Sequence, residues 1–189
     1  MPVPLTKWDI REKLGFADRR LRELAALRGG VIGAAPAAER QILLQEFFFH
    51  LAGAVDLLAQ LVNQSEGLGL DPDDVTVSGV IQKLPLGPIR SALESSYANT
   101  RHRTLTATLD SPEGYLFRLF AHRHLLTHQR PGNFVIRRGS SPESSLFIDP
   151  RDRSLGPSPN SAIDELRAMH AIVNQRCENL LSLLPRGAD

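Results

Sequence analysis

The sequence predicts an all-α protein, a bundle of four to five helices with a small β-hairpin inserted before the last helix. Apolar residues recur every three or four positions along residues 37–64 and 161–184, which is the spacing of one helix face. A third segment begins with Ser111 and Pro112, a serine cap followed by proline in the first helical turn. We expect one domain over residues 1–189, because this length suits a single core.

The first helix is predicted over residues 7–27. Thr6, followed three residues later by Asp9, forms a helix-start pattern. We expect an interruption near Gly15, since glycine weakens a helix interior, and an end at the glycine pair 29–30.

The second helix is predicted over residues 37–64 and is apolar around much of its circumference. We therefore expect it to be the central element, packed on several sides. The positions that share one face are Leu43, Phe47, Leu51, Ala54, Leu58 and Val62.

Shorter elements are predicted between this helix and the motif described below. Residues 66–80 contain three glycines and an Asp-Pro-Asp-Asp run, which is typical of a loop with a short helical turn at its end. Pro88 begins a third helix that ends near Asn99. The fourth helix runs from Ser111 to about Gln129, and irregular structure is expected between the two.

Two short β-type runs, at residues 134–136 and 146–148, are separated by glycine, serine and proline. This pattern predicts a hairpin. Residues 150–159 are polar and turn-rich, and we expect a connection there. Ser161, with acidic residues in the following turn, begins a last helix that runs through Leu184.

Composition excludes several classes of protein. A net charge of +1 argues against a polybasic nucleic-acid coat, although a local basic site remains compatible with it. The one cysteine, Cys177, cannot form an internal disulfide. The apolar stretches are broken by Glu46, His50 and Asp56, so we expect no membrane span and a cytoplasmic protein.

The fourth helix carries a polar cluster where an apolar stripe should continue. The stripe runs through Leu116, Leu119 and Phe120, and the next positions on it are Arg123 and His124. Burying such groups is costly unless they are paired or line a cleft. The sequence therefore places a candidate site at this end of the helix.

The segment Arg123-His124-Leu125-Leu126-Thr127-His128 resembles the motif of the HEPN superfamily, in which arginine is followed by a polar residue, three variable residues and histidine. The upstream helix with residues 46–50 also resembles that of uncharacterised bacterial members. The resemblance implies an HEPN-like bundle with the activity of a metal-independent endoribonuclease that needs no cofactor. Two protomers then join their motifs at a homodimer cleft, in a toxin–antitoxin or defence setting with a protein partner such as an antitoxin.

The resemblance assigns catalytic roles to Arg123, His124 and His128. Arg123 holds the scissile phosphate, His128 handles a proton, and His124 fills the polar position after the arginine. The chemistry is compatible, because histidine titrates near neutral pH and a guanidinium is a planar, permanently charged donor for phosphate. The main alternative is a non-catalytic helical domain that binds a nucleotide, RNA or a protein partner.

Structural roles compete with these assignments. Arg123 is equally well placed to pair with Glu46, Asp56 or a carbonyl group and so fix helix packing. His128 and Arg130 suit capping of a helix end, where cations are favoured.

A metal site is a further alternative, since His124 and His128 lie one turn apart and Glu46 or His50 is available from another helix. The zincin and ferritin-type spacings are missing, so we expect no metal.

Five residues are expected to support the motif or to contact RNA, namely Glu46, His50, Arg101, Arg103 and Arg130. Glu46 and His50 lie one turn apart, and form either a structural pair or the contacts that orient Arg123. Arg101 and Arg103 belong either to a solvated turn or to a surface that attracts the RNA backbone.

Overall fold

The computed structural model describes residues 4–27, 34–98, 109–128, 135–136, 144–149 and 151–185. Within this part of the chain the protein is a helical bundle with a small β insertion before the last helix, which confirms the predicted fold class. The helices are α1 (Lys7–Ala26), α2 (Ala34–Ser65), α3 (Val77–Lys83), α4 (Pro88–Ser95), α5 (Pro112–His128) and α6 (Ala162–Leu183), with one 3₁₀ turn at Pro72–Asp74.

Helix α2 is the central element, as its all-round apolar character predicts. It packs against α1, α3, α5 and α6, and its buried positions lie on several sides of the helix. Ala38–Ser65 is also long and apolar enough to cross a membrane by composition alone, yet over half of its most apolar window is buried inside the protein. Since the central helix of a packed bundle has the same composition, this segment is a weak membrane signal.

Helix α1 runs antiparallel to α2, with Leu5 beside Gln64 at one end and Arg20 beside Glu46 further along. Its start is fixed by Asp9, whose carboxylate accepts a hydrogen bond of 2.8 Å from the Thr6 amide. The helix is continuous through Gly15, so the expected interruption is wrong. The burial of flanking core residues on α1 outweighs the roughly 1 kcal/mol that glycine costs in a helix.

Helices α5 and α6 lie where the sequence predicts them. In α6 the Ser161 hydroxyl accepts a hydrogen bond of 3.2 Å from the Asp164 amide, the expected N-terminal cap. The third predicted helix ends earlier than expected, at Ser95. The loop at residues 66–80 ends in helix α3.

In the described residues of the β insertion there are two antiparallel strand pairs, whereas one was expected. Strand β1 (Val135–Ile136) pairs with β2 (Ser144–Ser145), and β3 (Phe147–Asp149) pairs with β4 (Asp152–Pro157). A small hairpin is therefore present before the last helix as predicted, but residues 147–149 pair with the segment expected to be a plain connection. Strand β3 packs on α5, the helix that carries the motif.

Candidate functional site

Helix α5 leaves the core at the motif. Residues 114–122 are all buried, whereas Arg123, His124, Leu125 and Leu126 are half-buried. The apolar stripe thus ends where the sequence analysis placed the change to polar residues. Arg123 is the first residue of α5 whose side chain reaches both the interior and the solvent.

The Arg123 guanidinium pairs with the carboxylate of Asp56 on α2. Nη2 bonds to Oδ2, and Nη1 lies 3.5 Å from Oδ1, so both carboxylate oxygens face the guanidinium. Burial raises the pKa of Asp56 above its usual range, more than the charge of Arg123 lowers it. The structure thus pairs Arg123 with Asp56, one of the partners expected if the arginine fixes helix packing.

A cleft of about 400 Å³ opens between α2 and α5 and includes Arg123 in its lining. Among the described residues its walls are apolar and aromatic, with polar groups on Gln45, Glu46 and Arg123. The described residues that line it are Gln45, Glu46, Phe48, Phe49, Arg123 and Leu126. Arg123 therefore forms part of a solvent-reachable cleft while Asp56 holds it.

Glu46 lines the same cleft, but its ion pair is with Arg20 of α1, at 2.6 Å from Nε to Oε2. His50 lies in aromatic contacts, with ring centroids 5.2 Å from Phe16 and 5.5 Å from Phe49. Burial, followed by the charge of Lys13, lowers the pKa of His50, so its ring is neutral at pH 7. Glu46 and His50 are thus fixed chiefly on the α1 side of α2.

The remaining predicted site residues are described in part or not at all. His124 is half-buried on α5, and His128 ends the helix, but the side chain of His128 lies outside the described part of the chain. Arg101, Arg103 and Arg130 also lie outside the described residues.

A buried histidine, His122, lies against the cleft residue Phe48 and was not among the predicted site residues. Its ring stacks on Phe48 with centroids 4.8 Å apart and planes 14° from parallel. Burial, then the nearby charge of Arg118, lowers the pKa of His122 to about 3. The neutral His122 ring therefore packs against Phe48 and fixes that wall of the cleft.

A second group that the sequence analysis missed is an ion pair between α5 and α6. Arg118 and Glu165 are both fully buried, with Nε donating to Oε1 at 2.6 Å. Nη2 of Arg118 also donates to the Leu109 carbonyl at 2.7 Å, and the guanidinium lies over the Tyr115 ring. The signal in the sequence that could have revealed this pair is an arginine inside the apolar run of residues 115–121.

No group of three or more potential metal ligands of the His, Cys, Asp and Glu types comes together among the described residues. The metal alternative relied on His128, whose side chain is outside that set.

The chain matches no protein-family model, no curated protein and no solved structure. The residues around Arg123 are therefore the basis for a function.

Proposed function

We propose that this protein is a cytoplasmic, metal-independent endoribonuclease of the HEPN type, which acts as a homodimer and needs no membrane. The observation that supports the proposal is the position of Arg123, on the rim of a cleft and oriented by Asp56. A guanidinium presents five N–H donors, so it is able to bind Asp56 and a phosphate together. The toxin–antitoxin or defence setting follows from the family resemblance alone.

In the proposed reaction a base removes the proton of the RNA 2′-hydroxyl, and this oxygen attacks the adjacent phosphorus. The bond from phosphorus to the 5′-oxygen breaks, and an acid gives a proton to the leaving oxygen. The products carry a 2′,3′-cyclic phosphate and a 5′-hydroxyl. His128 supplies the base or the acid, and the same residue of a second protomer supplies the other. Arg123 stabilises the negative charge of the phosphorane.

The test is incubation of the purified protein with RNA in excess chelator from about pH 5 to 8, the range in which histidine changes its charge. We expect cleavage that leaves 2′,3′-cyclic phosphate ends and stops when the nucleotide at the cut carries no 2′-hydroxyl. Intact RNA at every pH, with a dimer present by sedimentation, would overturn the proposal.

Variants at the motif separate catalysis from folding. We expect Arg123→Ala to lower kcat by about 10²- to 10³-fold, as loss of a charge-stabilising donor does in other enzymes, and His128→Ala by about 10²- to 10⁴-fold. The matched control is Arg22→Ala, which removes an exposed arginine from an ion pair with Asp18 on α1. This control should retain full activity, and Tm should report each variant as folded.

A non-catalytic role is the second candidate, and the Arg123–Asp56 pair itself favours it. An ion pair between α5 and α2 also fixes helix packing and needs no substrate. In that case Arg123→Ala and Asp56→Ala lower Tm, and the wild-type protein leaves RNA intact in the chelator assay. Loss of cleavage with an unchanged Tm contradicts this second candidate.

A further inference from the structure

The cleft beside Arg123 has the shape and chemistry of a site for a flat heterocycle. Its volume of about 400 Å³ lies within the range of pockets that enclose small organic ligands. Phe48, Phe49 and Leu126 provide apolar walls, whereas Gln45 and Glu46 place an amide and a carboxylate at the rim. A nucleobase has two apolar faces and a polar edge, and this arrangement matches both.

Phe49 is the most unusual residue of the cleft, because 63% of this large aromatic residue is exposed. Its neighbour Phe48 is fully buried and is held by the stacked His122 ring and by an edge contact with Phe47 at 5.4 Å. The wall formed by Phe48 is therefore fixed by core residues, whereas the wall formed by Phe49 presents an aromatic ring to solvent. Stacking of a base on an exposed aromatic ring contributes about 1–3 kcal/mol to binding.

Two cations accompany the aromatic wall of the cleft. Arg123 lines the cleft together with Phe49, and Nζ of Lys13 on α1 lies over the Phe49 ring, 4.9 Å from its centroid. A nucleotide within a chain has a phosphate on each side of its sugar. An aromatic ring with two positive groups nearby thus suits one nucleotide of a strand better than an uncharged ligand.

We propose that this cleft is a nucleobase subsite, in which one base of the RNA leaves the stack and lies against Phe49. Gln45 faces its polar edge, Arg123 holds the phosphate at the cut, and Lys13 attracts the neighbouring phosphate. The inference rests on the proposed nuclease function and adds the residues that choose the base.

The experiment measures binding of hexameric oligonucleotides that lack the 2′-hydroxyl and so cannot be cleaved. One hexamer carries bases, and the other has the same phosphates with tetrahydrofuran in place of every nucleoside. Dissociation constants come from the anisotropy of an end label at one fixed salt concentration, in excess chelator. The wild-type protein should bind the base-bearing hexamer more tightly.

Phe49→Ala should weaken binding of the base-bearing hexamer by about 5- to 150-fold, the range that corresponds to loss of one stacked base. It should leave binding of the abasic hexamer unchanged. The affinity of Phe49→Leu for the base-bearing hexamer should lie between those of the wild type and Phe49→Ala. The matched control is Trp8→Ala, which removes an aromatic residue of equal exposure (64%) at the start of α1. Lys13→Gln should weaken both hexamers equally, because it removes a phosphate contact.

The outcomes distinguish this inference from the function on which it rests. If the wild-type protein cleaves RNA but Phe49→Ala binds both hexamers as the wild type does, the subsite is refuted and the nuclease remains. Equal affinity of the wild-type protein for both hexamers, or no binding of either, also refutes it. If Phe49→Ala weakens binding of the base-bearing hexamer alone but the wild-type protein leaves RNA intact, the nuclease proposal fails and the cleft remains a base-binding site.

Discussion

Replacing Glu165 with glutamine tests the buried ion pair between α5 and α6. The variant leaves the fully buried guanidinium of Arg118 without its carboxylate partner. Removal of one partner from a buried pair costs about 3–5 kcal/mol, since the other charge stays buried and uncompensated. For a protein of this size that loss lowers Tm by about 6 to 20 °C, at about 2–4 °C per kcal/mol.

A matched pair on the same helix supplies the control. Glu178 of α6 also bonds an arginine of another helix, Arg11 of α1, through two hydrogen bonds of 2.9 Å. This pair is exposed, so Glu178→Gln should cost about 0–1 kcal/mol. Thermal unfolding followed by circular dichroism, with urea unfolding for the free energies, measures both variants.

The double variant Arg118→Met, Glu165→Leu completes the test. Burial raises the pKa of Glu165 more than Arg118 lowers it, so desolvation of the carboxylate is the larger effect. Removing both charges should therefore recover most of the stability lost in Glu165→Gln. A loss in Glu165→Gln no larger than that in Glu178→Gln, or a double variant less stable than the single, would refute the reasoning.

Three further predictions concern other parts of the protein. His122 has a folded pKa of about 3 against about 6.5 when unfolded, so the unfolded chain binds a proton first as the pH falls. The neutral His122 ring therefore does not reduce the free energy of unfolding above pH 6.5. As the pH falls from 6.5 to 5, the protein should lose about 2 kcal/mol of this free energy, as measured by urea unfolding. His122→Phe, which keeps the stack on Phe48, should remove that part of the pH dependence, and an unchanged profile contradicts the assignment. Asp56→Asn should lower stability by about 1 kcal/mol, since its pair with Arg123 is only half-buried, and a loss above 3 kcal/mol would show a fully desolvated pair. Ser161→Ala should cost about 1 kcal/mol through loss of the α6 cap, with Ser161→Asp as the control that retains it, and equal stability of the two variants speaks against capping.

The helices were predictable because their signals are local. Spacing on one face and the caps at Thr6 and Ser161 depend on residues within a few positions of one another. The strand pairing was harder to predict from the sequence. Ser144 and Ser145 have no β-type pattern, and strand β4 includes Gly156 and Pro157, which are typical of turns. Their pairing is set by contacts with the neighbouring strand, such as Val135 with Ser145 and Phe147 with Pro157, rather than by a pattern within the strand itself.

The candidate site was predictable as a position but not as a set of contacts. Spacing on α5 identified Arg123 at the end of the stripe. The choice of Asp56 over Glu46 depends on how α2 and α5 cross, since these carboxylates are about 15 Å apart along one helix. Arg118 was missed because Glu165 had already been explained as an acidic residue in the first turn of α6. A single plausible role concealed a second one.

Helix α5 is bonded through its arginines to two different neighbours, Glu165 of α6 and Asp56 of α2. Arg118 and Arg123 are five residues apart and so point roughly 140° away from each other around the axis. A turn of α5 about this axis by even one residue, about 100°, breaks both ion pairs at once. The orientation of Arg123 is thus fixed in part by the buried ion pair between α5 and α6. A ligand that enters the cleft meets a guanidinium already set in place.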